Sequence, residues 1–204
     1  MIELIKIKKF ALGPIQTNCY VVSDSKTNEG ILVDPASYER EVVRYISDNN
    51  ISIKHTVNTH GHYDHIAGND KYGFPVLIHE KDAECLSNPA KNFSFVMGYT
   101  LKVGQAKRTL KDSDKIKINN LEFEIIHLPG HTPGGIGLKV DDMLFSGDTL
   151  FFESIGRTDI PRANSNDLKK SLQKLMKLDD KVKVFPGHGP ETTIGHERRN
   201  NPHI

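Results

Sequence analysis

The sequence predicts an α/β fold in which sheets are covered by helices. Short apolar runs recur along the chain, helical periodicities interrupt them, and polar residues of metal-binding type stand just after several runs. Taken in order, Met1 to Phe10 sets Ile and Leu against Lys and Glu, an amphipathic strand over Ile2 to Ile7. A secretory signal would instead need an unbroken apolar run and a cleavage site, so the expected compartment is cytoplasmic. Further strands are expected at Cys19 to Ser23, Ile31 to Asp34, His55 to Asn58 and Val76 to Ile78. The second half offers Lys115 to Ile118, Glu122 to His127, Ile136 to Val140, Met143 to Ser146 and Val182 to Phe185. Helices are expected at Tyr38 to Asn49, Glu80 to Ser87 and Asn166 to Leu178. In the last, Leu168, Leu172, Leu175 and Met176 share one face and four lysines the other, with Asn164 or Ser165 as N-cap. That stripe is core packing.

The 204 residues suit one domain, and 37% hydrophobic with 26% charged residues is ordinary globular composition. No apolar run reaches the 18 residues a membrane helix needs. The net charge is +1, and runs such as Lys6 to Lys9 are too short for the basic stripe of a nucleic-acid binder. Cys19 and Cys85 stand alone, without a CxxC unit, and read as buried thiols.

Chemistry concentrates at the ends of the expected strands, where a rigid scaffold can carry function. Asp34 follows Ile31-Leu32-Val33, His60 follows Thr56-Val57, Asp148 follows Met143-Leu144-Phe145, and His188 follows Val182 to Phe185. Three of the ten histidines, His60, His62 and His65, fall within six residues beside Asp64. Such a cluster is hard to bury as core, because each imidazole needs hydrogen-bond partners. His131, Asp148 and His188 each follow a glycine, which lets the backbone approach a metal without a Cβ clash. Imidazole and carboxylate donors suit zinc, and iron or manganese also accept them.

His60-Gly61-His62-Tyr63-Asp64-His65 resembles the HxHxDH signature of the metallo-β-lactamase superfamily, and His131, Asp148 and His188 follow in its order. Gly147 to Phe151, Gly156-Arg157-Thr158-Asp159 and Pro186 to Gly195 resemble the short bacterial glyoxalase II-like branch. So does the ending Glu197 to Pro202. The resemblance implies a single domain over residues 1–204, an αβ/βα four-layer sandwich with the site at one edge. It implies two divalent metals: His60, His62 and His131 on the first, Asp64, His65 and His188 on the second, Asp148 bridging. Asp34 resembles the aspartate that orients ligand histidines from behind. Asp64 is the candidate catalytic residue, steering a water shared by the metals. Arg157 could meet a substrate carboxylate, or pair with Asp159 at the surface.

The implied activity is hydrolysis of an acyl thioester, whose thiolate leaves with little acid assistance. The helical glutathione-binding domain of longer relatives has no counterpart after His188, which loosens the expectation of glutathione itself. Competing readings are a mononuclear iron persulfide dioxygenase, which has a similar Gly-Arg-Thr-Asp stretch, and a lactonase. A diiron electron-transfer module would carry glutamate at His62, and an exported β-lactamase would need a signal. A non-catalytic metal site would favour cysteine-rich sets. The expected partner is a small-molecule thioester, with no nucleic acid and no membrane.

Overall fold

The computed structural model describes residues 4–204. The first sheet runs in chain order: β1 (Ile5–Leu12), β2 (Thr17–Asp24), β3 (Glu29–Val33), β4 (Ser52–Val57), β5 (Val76–His79) and β6 (Arg108–Leu110). Its first three strands are antiparallel and its last four parallel. The second sheet uses β7 (Lys115–Ile118), β8 (Leu121–His127), β9 (Ile136–Val140), β10 (Met143–Gly147), β13 (Lys183–Pro186) and β14 (Thr192–Thr193). Its order is β14-β13-β10-β9-β8-β7. Only β10 and β13 pair in parallel there. A small hairpin, β11 (Leu150–Phe151) with β12 (Ser154–Ile155), follows β10.

Side-chain alternation shows how the layers stack. Tyr20, Val22, Ile31 and Val33 meet Phe123, Ile125, Leu138 and Phe145 between the sheets. Their neighbours Cys19, Val21 and Leu32 point the other way, against Val42 of α1 (Arg40–Asp48). On the second sheet Ile126, Leu144 and Val184 meet Leu168, Leu172 and Leu175 of α4 (Ser165–Leu175). Strands covered on both faces read as continuous apolar runs rather than as alternations, and all eight residues of β2 are buried. Helix, sheet, sheet, helix is the four-layer αβ/βα sandwich. Tyr20 pins the middle, edge-on to Phe145 and Phe185 at 5.2 and 5.8 Å.

Most expected elements stand with bounds shifted by a few residues. The helix expected over Tyr38 to Asn49 is Arg40–Asp48, and the strand expected from His55 starts at Ser52; three others differ further. The strand expected from Ile2 begins at Ile5 and runs on to Leu12; residues 1–3 lie outside the described residues. The helix expected from Glu80 is a 3-10 helix, Glu80–Leu86. His79 Nδ1 caps it by accepting from the Lys81 amide, and the Asp82 carboxylate turns inward to two buried amides. The helix α4 takes Asn164 as its N-cap and ends at Leu175 rather than Leu178. The short α2 (Tyr63–Ile66) and α3 (Asn69–Tyr72), and α5 (Ile194–Asn200), have no expected counterpart.

The parallel pairs decide where the site forms. The chain leaves β3 at Asp34 and β4 toward His60, side by side, while β10 and β13 leave together toward Asp148 and His188. Both exits open at one edge of the sandwich, where Thr17 bridges to His188.

Candidate metal centre

All seven expected ligands come together. His60, His62 and His131 bring donor atoms within 4.8 Å of one another; so do His60, His65 and Asp148, and so do Asp64, His65 and His188. The third group matches the expected second metal set, and the first matches the first. Asp148 sits between them: Oδ1 lies 3.4 Å from His65 Nε2, and Oδ2 lies 3.5 Å from His131 Nε2 and 3.6 Å from His188 Nε2.

The hydrogen bonds behind the rings assign their protons. His65 Nδ1 lies 2.9 Å from Asp34 Oδ2 and donates to it, turning Nε2 toward Asp64 and Asp148. Likewise His131 Nδ1 donates to the Arg157 carbonyl at 2.9 Å. Thr59 gives its hydroxyl proton to Asp34 Oδ2 at 2.6 Å, so it can only accept from His60 Nδ1 at 3.3 Å. Three Nε2 atoms therefore point at one another, at His62 and at carboxylates. Burial, and then the charge of neighbouring histidines, holds His60 well below the usual imidazole range and His62 down to about 3, so both are neutral.

Burial opposes charge on Asp64, Asp148 and His65 alike. The attraction between them overrides it, lowering both carboxyls and raising the His65 imidazole. Among the described residues, His65 Nε2 and Asp148 Oδ1 are buried without any hydrogen-bond partner. Orphaned polar atoms of this kind are costly unless something fills the gap between them. Converging imidazoles and carboxylates are the donor set that a divalent cation satisfies, with the cation in place of the proton on His65, so the residues present fit such an ion.

The glycines do a different job from the one expected. A Cβ at Gly187 would lie 2.1 Å from Asp148 Oδ1, and one at Gly147, at φ +51°, would lie 2.5 Å from Thr59 Oγ1. They make room for ligand side chains and their supports rather than for backbone beside a metal.

A cavity of about 470 Å³ opens on the cluster, lined beyond the metal-type residues by Ile15, Phe93, Met97, Phe151, Ile155 and Ile160. Arg157 also lines it, but its guanidinium is held by Asp159 through two 2.8 Å bonds at the surface. The backbone carbonyl of Arg157, not its side chain, touches the centre.

A model of the metallo-beta-lactamase superfamily matches residues 12–188. The chain belongs to that superfamily. A hydroxyacylglutathione hydrolase of Haemophilus influenzae is 36% identical over 215 residues, covering 100% of this chain and 97% of that protein. A probable metallo-hydrolase of Streptococcus pyogenes is 36% identical and covers 90% of this chain and 83% of its own. Among solved structures, the BLEG-1 B3 metallo-beta-lactamase superposes with a TM-score of 0.90 at 33% identity, covering 97% and 98% of the two chains. TTHA1623, in a di-iron-bound form, gives 0.81 at 29% identity, covering 97% of this chain and 100% of that one.

Within this member of the superfamily, four supporting residues are not marked by the sequence. Thr17 Oγ1 donates to Asp64 Oδ2 at 2.9 Å. Asp82, fully buried, accepts from the amides of Gly61 and Gly134 at 3.0 Å each, tying the His60–His65 loop to the turn that carries His131. A charged residue in a 3-10 helix between unrelated motifs gives no sequence signal. Asn18 and Tyr20 could have been suspected only from the topology: both donate to the carbonyl of Pro186, at 2.9 and 2.6 Å, and so fix the loop of His188. The remaining histidines stand apart; His79 stacks on His127, and His196 faces Glu153.

Proposed function

We propose that the chain is a metal-dependent thioesterase of the glyoxalase II type, releasing a thiol from a small S-acyl compound such as an S-lactoyl thiol. The convergence of seven imidazole and carboxylate donors beside an apolar cavity carries the reading. The full-length likeness to a hydroxyacylglutathione hydrolase supports it.

His60, His62 and His131 would hold one divalent ion and Asp64, His65 and His188 a second, with Asp148 shared; zinc suits these donors, as do iron and manganese. Such ions supply Lewis acidity and a water whose pKa falls toward roughly 7. The chain contributes orientation and proton handling. Asp34, Thr59 and the Arg157 carbonyl lock three imidazoles with Nε2 forward. Thr17 occupies one side of Asp64 Oδ2, so the carboxylate has a fixed aim and can accept a hydrogen bond from an attacking water. The apolar wall keeps bulk water from the acyl carbon, and a thiolate, with a thiol pKa near 8.5, leaves without a dedicated acid. The mixed surface charge, +1 overall, supports a small-molecule partner rather than nucleic acid. Among the described residues no helix is long and apolar enough to cross a membrane. The compartment proposed with this substrate class is the cytoplasm.

The test is thiol release from S-D-lactoylglutathione by metal-replete protein. The likeness to BLEG-1 favours one second reading, β-lactam hydrolysis, so a β-lactam belongs beside the thioester. Oxygen uptake with a thiol persulfide, without thiol release from any thioester, would replace the hydrolase by a dioxygenase.

A further inference from the structure

The cavity over the metal centre does not end at the metal centre. A second cavity of about 390 Å³ adjoins it, and Ile15, Tyr63, Asp64 and Met97 line both. The second is walled by Leu12, Pro14, Ala36, Ala67 and Tyr99. The shared wall is built, not accidental. The Tyr63 amide donates to the Asn92 carbonyl at 2.9 Å, which fastens the segment after Asn92 to the metal-binding loop. Asn92 is itself buried and donates to the carbonyls of Cys85 and Leu101 at 2.9 and 3.0 Å. Phe93 then takes a left-handed backbone, φ +71°, with its ring 5.9 Å from His62. Tyr99 packs edge-on to Tyr63 at 5.5 Å.

Two features define what such a channel accepts. Its rim holds large apolar side chains in water: Ile15, Met97 and Tyr99 are 49%, 52% and 43% exposed. Exposed apolar groups gathered around a cavity mark a binding site more often than a bare surface. Its charge is equally telling. Among the described residues lining either cavity, Arg157 is the sole Lys or Arg, and Asp159 neutralises it. Among the described lining residues, the polar side chains beyond the metal-type ones and Arg157 are the hydroxyls of Ser37, Tyr63 and Tyr99, none of them cationic.

We infer that the preferred substrate carries an apolar acyl chain, which lies from the metal centre across Tyr63 into the cavity walled by Leu12, Ala36 and Tyr99. The inference rests on the thioesterase reading and names its substrate class: thioesters of apolar straight-chain acids rather than short hydroxy acids. Each methylene placed between Ile15, Met97 and Tyr99 leaves water, which raises kcat/KM about fourfold until the chain fills the channel.

The experiment uses one neutral thiol, N-acetylcysteamine, esterified with acetyl, butanoyl, hexanoyl and octanoyl groups, and the matching S-alkyl thioethers as uncleavable probes. The expected result is kcat/KM and thioether affinity that both climb with chain length. In the Ala36→Phe variant, which narrows the far cavity, the octanoyl-to-acetyl ratio should fall at least tenfold. Flat or falling values along the series in the wild-type protein overturn the inference while leaving thioester hydrolysis intact. An unchanged ratio in folded Ala36→Phe overturns the route assigned to the chain. Failure to cleave any thioester, with thioether affinity still climbing, upholds the apolar channel and removes the thioesterase reading instead.

Discussion

Asp34 leaves β3 with a left-handed backbone, φ +48°, immediately before Pro35. A non-glycine residue there carries strain of order 1 kcal/mol, least for Asp and Asn. What holds it is its carboxylate, which meets the Thr59 amide, the Thr59 hydroxyl and His65 Nδ1 within 2.9 Å. Asp34→Ala should lower metal affinity about 10- to 100-fold, measured by chelator competition, because His65 and His60 lose their orientation together. Wild-type affinity in that variant would leave Asp34 a turn residue only. Asp64 makes a sharper claim. Asp64→Asn should retain folded structure yet, when loaded with metal in excess, lose roughly 100-fold or more in kcat; full activity with both metals present would show that it steers nothing. The seven clustered residues and Asp34 were legible because His60 to His65 is dense with metal donors, His131, Asp148 and His188 each follow a glycine, Asp34 ends a strand, and the superfamily resemblance joins them. Thr17 was not, since a threonine in a buried strand looks like any other until the two sheets bring it 2.9 Å from Asp64.

Asp82 belongs to the scale of elements, because it joins the loop after β4 to the turn after β8. Removing its carboxylate in Asp82→Ala strands the buried amides of Gly61 and Gly134, at about 3 kcal/mol together, or roughly 6–12 °C in Tm. Thermal unfolding followed by circular dichroism measures it; a shift under 2 °C would mean water replaces the carboxylate freely. The same scale explains which elements the sequence reading found. The long strand β2 announces itself by an apolar run, since it is buried on both faces, and β8 by alternation, with Glu122 and Glu124 exposed between buried apolar residues. The pairs β11–β12 and the strand β14 have two residues per strand, too few for any periodicity to register. The segment from Glu80 carries helical spacing, yet tertiary contacts at Asp82 tighten it into a 3-10 turn.

For the molecule as a whole, the sandwich holds buried carboxylates and neutral imidazoles in one place and relies on a cation to reconcile them. Chelation should therefore lower Tm, with recovery on adding zinc, since a ligand that binds only the folded state stabilises it by mass action. Acid acts through a separate pair. His79, stacked 4.1 Å above His127, is pushed down to about 4, first by burial and then by the charge of His127. An unfolded histidine takes its proton near pH 6.5, so the unfolded state binds more protons between pH 6.5 and 4. Stability should fall across that window as pH drops, and His79→Gln should flatten part of the fall in denaturant titrations of metal-free protein. An unchanged slope would show that His79 is solvated. The central claim is a two-metal centre that cleaves a thioester, and metal stoichiometry paired with thiol release from S-D-lactoylglutathione tests it most directly. About two metal equivalents are expected, with release that vanishes in folded His60→Ala and Asp148→Ala variants. Metal-replete protein that releases no thiol from lactoyl or longer acyl thioesters would contradict it.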